Sequence, residues 1–303
     1  MASEAGGAGA GASISRSERG AILLGVAGGL AAGAALGVTL YEAWRSAQGR
    51  AHAHQGINRS DSGPRFEATL PCGNFPIQLY SLGTPNGQKV TILLEELGLP
   101  YDAHFINIGR GDQFSSGFVA VNPNSKIPAM VDREGPDGNT VNLFESGSML
   151  LYLAEKTGKF IPTDPVQRVE CINWLMWQMG SAPYLGQFGH FYKYYAPKRK
   201  LSYPIERYTM EAKRIVDVLD KQLAKKQFVC GDQYTIADMA IYPWIRCLDS
   251  GYNAAALLDL ASFHNVQAWK ARIEARPAVQ TGLKINGFAS EERFKNYSTP
   301  GKQ

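Results

Sequence analysis

The sequence predicts an α/β unit followed by an all-helical unit, and three observations carry that expectation. A strand, a helix and a second strand succeed one another between Ile77 and Ile108. Ala129–Asp132 and Val141–Phe144 flank a turn-rich hexapeptide, as in an antiparallel hairpin. From Pro165 to about Gly282 apolar residues recur at helical spacing with no strand pattern. The 303 residues suit two units at roughly 150 residues each. With 45% apolar residues, 19% charged and four cysteines, the composition excludes a disordered chain and a disulfide scaffold. Lys plus Arg number 6 against 5 acidic residues up to residue 70, and 25 against 22 beyond it. Both parts are near neutral without a basic run, which disfavours a nucleic-acid partner. Cys72, Cys171, Cys230 and Cys247 show neither C-x-x-C nor metal-ligand spacing and read as free thiols of a reducing compartment; no metal site is expected.

Residues 1–20, rich in Ala, Gly and Ser, read as a disordered arm. Ala21 to Leu40 holds twenty uncharged residues, the length that crosses a bilayer as a helix, although only eight are bulky. Gly25, Gly29, Gly33 and Gly37 fall on one helical stripe where another backbone can approach. The segment is read as a transmembrane anchor with the remaining chain on the cytosolic side. A cleaved presequence, an organelle location such as the mitochondrion, and an uncharged linker stay open. His52 and His54 lack a third ligand and are read as solvated. Residues 41–75 form an irregular linker to a domain spanning 76–162.

In that domain Ile77–Ser81 alternates apolar and polar residues and leaves through the turn Thr84-Pro85-Asn86-Gly87. Val90, Leu93, Leu94 and Leu97 give the next helix its buried face, and Gly98 with Pro100 stops it. Tyr101–Ile108 is the second strand. A βαβ unit this short makes its two strands parallel neighbours. The hairpin and a helix from about Gly147 to Thr157 follow, and the order β-α-β, irregular stretch, β-β-α is the thioredoxin-like arrangement.

Three local features carry chemistry. Thr84-Pro85-Asn86-Gly87 brings a hydroxyl and free N–H groups to the positive end of a helix. A thiol held there has its pKa lowered, and since no cysteine is present the thiol must come with a ligand. In Ser125-Lys126-Ile127-Pro128-Ala129, a cis Ile127–Pro128 peptide would turn the N–H and C=O of Ile127 towards an extended peptide. Glu145-Ser146 opens a helix where the hydroxyl and N–H suit a carboxylate and Glu145 suits an ammonium. Each has an ordinary structural counterpart, as a capped turn, a strand entry and a helix start.

The stretches LYSLGTPNGQKVTILLEELG, GDQFSSGF, VNPNSKIPA, FESGSMLLYLAEK, FGHFY, ERYTMEAKR and GDQYTIADMAIYPW together resemble the glutathione transferases, and within them the Nu class, the YghU-like group of disulfide-reducing enzymes. The resemblance runs from about Gln78 to Asn286 and leaves residues 1–70 outside. It implies the glutathione transferase fold, a homodimer, and glutathione as cofactor or co-substrate. By matching motif positions it implies that Thr84 and Asn86 face the glutathione sulfur as the catalytic pair. Gln113, Lys126, Ile127, Glu145 and Ser146 would then hold the peptide, and Arg207 would reach in from the helical domain. Two glutathiones, or one glutathione disulfide, would occupy each subunit, and the Thr at position 84 fits a class without a catalytic cysteine.

The helical domain, residues 163–290, shows buried faces such as Ile215, Leu219 and Leu223, and residues 291–303 read as a tail. Thr235-Ile236-Ala237-Asp238 is a capping box, so Asp238 is assigned to folding. The run Phe188, His190, Phe191, Tyr192, Tyr194 and Tyr195 is too dense to bury wholly, and the resemblance places it over the cleft. His190 is read there as a hydrogen-bonded cleft residue or a general base. The leading expectation is a glutathione-dependent disulfide-bond reductase acting on a small-molecule disulfide. Conjugation of glutathione to an electrophile, peroxide reduction, and a non-catalytic membrane-tethered subunit are the alternatives.

Overall fold

The protein is described by a computed structural model covering residues 59–195 and 201–287. The first half is a four-stranded sheet, β1 (Ile77–Ser81), β2 (Tyr101–Phe105), β3 (Ala129–Asp132) and β4 (Val141–Phe144), in the order β2-β1-β3-β4. β1 runs parallel to β2 and antiparallel to β3, and β3 pairs antiparallel with β4. Both faces of the central strand are covered, so all five residues of β1 are buried despite their polar alternation. Leu79 joins the main core, while Tyr80 joins a smaller cluster with Ile106, Phe118, Val121 and Ala129.

Helix α1 (Pro85–Leu97) starts at Thr84, the N-cap, with proline in its first turn where no N–H is missed. It ends at Gly98, whose φ of 66° is the left-handed conformation glycine adopts freely. Gly87 is obligatory, since a Cβ there would sit 2.0 Å from the Leu82 carbonyl oxygen. The turn after β2 leads through a short 3₁₀ segment, Asp112–Phe114, into α2 (Ser116–Val121), and β4 leads into α3 (Ser146–Thr157). The helical half comprises α4 (Pro165–Gly189), α5 (Ser202–Leu223), α6 (Ile236–Ser250), α7 (Ala255–Leu258), α8 (His264–Glu274) and α9 (Pro277–Gly282). The expected βαβ unit, the hairpin and the helical second half are all present.

Helices α6 and α9 pack against α1, so one apolar core runs from Leu79 and Val90 through Leu175 to Trp244 and Val279. The capping box of α6 is formed as read. Asp238 is fully buried and accepts from Val229 N, Thr235 N and Trp269 Nε1 at 2.9, 3.0 and 2.8 Å.

Two expectations are corrected. The β2 ladder stops at Phe105, three residues earlier than the apolar pattern suggests. Asn107 there accepts from Gly109 N and Arg110 N through Oδ1 and donates its own N–H to Asp112 Oδ2, a turn that competes with the ladder. The membrane-anchored location is also withdrawn. Among the described residues no helix is long and apolar enough to cross a membrane, and the 21–40 segment lies outside the described residues.

Candidate active site

The sheet register gathers the sequence-predicted residues. Tyr80 of β1 lies opposite Ala129 of β3, and Ala129 lies opposite Phe144 of β4. The exit of β1 into Thr84, the entry of β3 from Ile127, and the exit of β4 into Glu145 and Ser146 therefore share one end of the sheet. β2 ends there too, since Ser81 pairs with Phe105 and the Ile106 N–H bonds the Ser81 carbonyl. Gln113 follows from that end.

At the start of α1 the Thr84 hydroxyl has only long contacts, accepting from Gly87 N at 3.4 Å and donating to Leu82 O at 3.5 Å. Both lie beyond the usual range, so its hydrogen is scarcely committed. Asn86 is oriented from the other domain: Trp244 Nε1 of α6 donates to Asn86 Oδ1 at 2.8 Å. With the oxygen engaged, the amide nitrogen keeps two hydrogens to offer. The end of a 13-residue helix adds its dipole, so this corner favours an anion.

The peptide bond Ile127–Pro128 is cis. Lys126 is exposed, and its carbonyl accepts from Asn122 Nδ2 at 2.6 Å, which ties the loop to the end of α2. Glu145 is the N-cap of α3 with φ of 67°, a region that carries strain for a residue with a side chain. Gln113 is buried; its Nε2 reaches Ile108 O only at 3.5 Å and its Oε1 has no protein partner. Ser146 is buried and accepts from Lys89 Nζ at 3.3 Å.

Arg207 belongs to the helical domain. It lies half exposed on α5 and pairs with Glu211 of the same helix at 3.6 Å. Of the aromatic run, Phe188 is buried and stacks with Tyr192, Phe191 stacks on Tyr208, and His190 meets the half-exposed Tyr194 edge-on.

Sequence reasoning missed two features. The Trp244–Asn86 bond joins residues 158 apart, and nothing local in either motif announces it. Lys89 is the other: it lies four residues before Leu93 on the buried stripe of α1 and is completely buried. A lysine on the apolar stripe of a helix, in its second turn, was a readable signal. Burial pushes its amine down to about 7, with the nearby Glu145 carboxylate opposing.

A thioredoxin-like sheet with this cluster at one end, joined to an all-helical domain, is the architecture of glutathione transferases. The model of the glutathione S-transferase N-terminal domain matches residues 84–156 and that of the C-terminal domain residues 173–277. The disulfide-bond oxidoreductase YghU of Escherichia coli is 57% identical over 252 residues, 80% of this chain and 85% of that protein. The disulfide-bond oxidoreductase YfcG of the same organism is 42% identical over 209 residues, 68% of this chain and 94% of that one. A structure of glutathione transferase YghU from Streptococcus pneumoniae, complexed with glutathione, superposes with a TM-score of 0.73 at 52% identity, covering 77% of this chain and 92% of that chain. A Pseudomonas putida glutathione transferase with one glutathione disulfide bound per subunit gives 0.70 at 46%, covering 72% and 95%. The chain belongs to the glutathione S-transferase family, in its YghU-like branch.

Proposed function

We propose that this chain is a glutathione-dependent disulfide-bond reductase that works with two bound glutathiones, or one glutathione disulfide, per subunit. The observation that carries the reading is the start of α1. A scarcely committed Thr84 hydroxyl and an Asn86 amide oriented by Trp244 meet at a helix end, and no cysteine lies between Cys72 and Cys171 to supply a sulfur. The reacting sulfur therefore belongs to glutathione. Thr84 donates to the thiolate and, with the Asn86 amide and the helix dipole, lowers the thiol pKa. Ile127 pairs with the peptide backbone across the sheet end, as an added strand does. Glu145 and Ser146 take the ammonium and carboxylate of the γ-glutamyl end, while Gln113 and Lys126 hold the remainder. Arg207 reaches this group only when its pairing with Glu211 is exchanged for the ligand.

The first thiolate attacks a substrate disulfide, forming a mixed disulfide with glutathione and releasing one substrate thiolate. The second glutathione thiolate attacks the glutathione sulfur of that mixed disulfide. This releases the other substrate thiolate and leaves glutathione disulfide. Holding both glutathiones in one cleft turns the second step into a neighbouring-group reaction, the main source of acceleration. The Pseudomonas putida relative with a bound glutathione disulfide supports this order, since that molecule is the product of the second step. The chain is proposed to act as a homodimer, as the family resemblance implies.

Retention on immobilised glutathione followed by turnover of hydroxyethyl disulfide tests the reading. Binding with turnover is expected. Binding without turnover would leave a non-catalytic glutathione-binding subunit, and failure to bind would remove glutathione altogether.

A further inference from the structure

The second turn of α1 buries a cation that the scheme above does not use. Lys89 is fully buried, and its Nζ donates to Gln178 Oε1 of α4 at 2.5 Å and to Ser146 Oγ of α3 at 3.3 Å, with Met179 Sδ at 4.0 Å. An ammonium can only donate, so Ser146 Oγ must accept, and the hydroxyl hydrogen points elsewhere. It is directed at Met179 Sδ at 3.8 Å, a weak acceptor. Gln178 is likewise polarised: its oxygen is taken by Lys89, and its Nε2, buried, has no partner. A buried cation thus stands among donors that lack a strong acceptor, and neither Ser146 nor Gln178 neutralises it. A buried charge without a counterion within hydrogen-bond reach is unfavourable, and an apolar residue would serve packing better.

We propose that Lys89 is a positioning residue for the α-carboxylate of glutathione's γ-glutamyl end: buried behind Ser146 and Gln178, it turns the Ser146 hydroxyl into a donor towards that carboxylate and supplies the opposite charge. The inference rests on the glutathione reading given above. It gives a role to Lys89 and Gln178, to neither of which the family resemblance assigned one.

Binding is then linked to protonation. The groups facing Nζ from α3 and α4 are Ser146, Gln178 and Met179, none of which titrates in this range. Glu145 is the charged group whose field reaches it, and no charged group of α6 or α9 does so among the described residues. With its amine pushed down to about 7, Lys89 is mostly uncharged at mildly alkaline pH before a ligand binds. An incoming carboxylate raises the pKa of the amine, so the affinity contributed by this charge is complete below about 7. It is lost as the pH climbs towards the higher pKa of the bound state.

The test is calorimetry with S-methylglutathione, which has the carboxylate but no free thiol to release a proton. Titrations run at about pH 7.5 in two buffers of different ionisation enthalpy should show net proton uptake on binding. In Lys89→Met the uptake should vanish, and the affinity at about pH 6.5 should fall by about tenfold and lose its dependence on pH. Normal wild-type binding without proton uptake overturns the proposal, as does uptake that persists in Lys89→Met. Should Lys89→Met not fold, Gln178→Leu removes one acceptor from the ammonium and should move the midpoint of the affinity profile to lower pH. An unmoved midpoint overturns the proposal. If the wild type gives no heat with either glutathione or its S-methyl form, the glutathione reading falls, and this inference with it.

Discussion

Removing the Thr84 hydroxyl separates what it does for the fold from what it does for the chemistry. As an N-cap it accepts from Gly87 N at 3.4 Å, a long contact, so Thr84→Ala should destabilise the protein by only about 0.5 kcal/mol, the low end for such caps. As a donor to a thiolate it makes a charge-assisted bond worth about 1.5–3 kcal/mol. That is tenfold or more in rate, with the bound thiol's pKa rising by about one to two units. Thr84→Ser keeps the oxygen and should restore both. The assay is glutathione-dependent reduction of hydroxyethyl disulfide across pH, alongside thermal unfolding. The Thr84→Ala rate should fall at least about tenfold at neutral pH and recover in part as the pH rises, because alkali forms the thiolate without help. Equal rates for wild type and variant, or a fall that is the same at every pH, would refute the reasoning.

Trp244→Phe removes the donor that holds Asn86 Oδ1 at 2.8 Å, and should lower stability by about 1–2 kcal/mol and kcat/KM by about fivefold. Adding Asn86→Ala to it should cost little more in kcat/KM than Asn86→Ala alone; additive losses would show that the two residues act independently. Asp238→Ala strips the acceptor from Val229 N, Thr235 N and Trp269 Nε1, and should destabilise the protein by about 3 kcal/mol or more. Glutathione affinity of the folded fraction should stay unchanged, and a shift in that affinity would contradict the purely structural role given to Asp238.

What could be read from the residues follows the range of the forces involved. Strand and helix periodicity, the Thr84 cap, the Gly98 stop and the capping box before Asp238 are set within a few residues, and all are present. The end of β2 was misplaced because the Asn107–Asp112 turn withdraws the backbone from a ladder that the apolar pattern would have continued. Helix α2 escaped notice because six residues are too few to show a period; Ser115, which accepts from Phe118 N, was its visible cap. The site was legible as three separate corners, whereas their meeting depends on sheet register. The bonds that tune those corners, Trp244 to Asn86 and Lys89 to Gln178, span the two domains and leave no local trace. Arg207, assigned through the family resemblance alone, pairs within its own helix.

The central claim is that the reacting sulfur is carried in by glutathione, and a cysteine-free chain tests it most directly. The four cysteines include one exposed, Cys72, and one buried, Cys171, so alanine replaces all four to avoid burying a new hydroxyl. The measurement is the rate of glutathione-dependent disulfide reduction by this variant, with folding checked by circular dichroism. A rate within about threefold of wild type is the expected result, since none of the removed thiols takes part. A folded variant slower by about a hundredfold or more would place the nucleophile on the polypeptide and contradict the account.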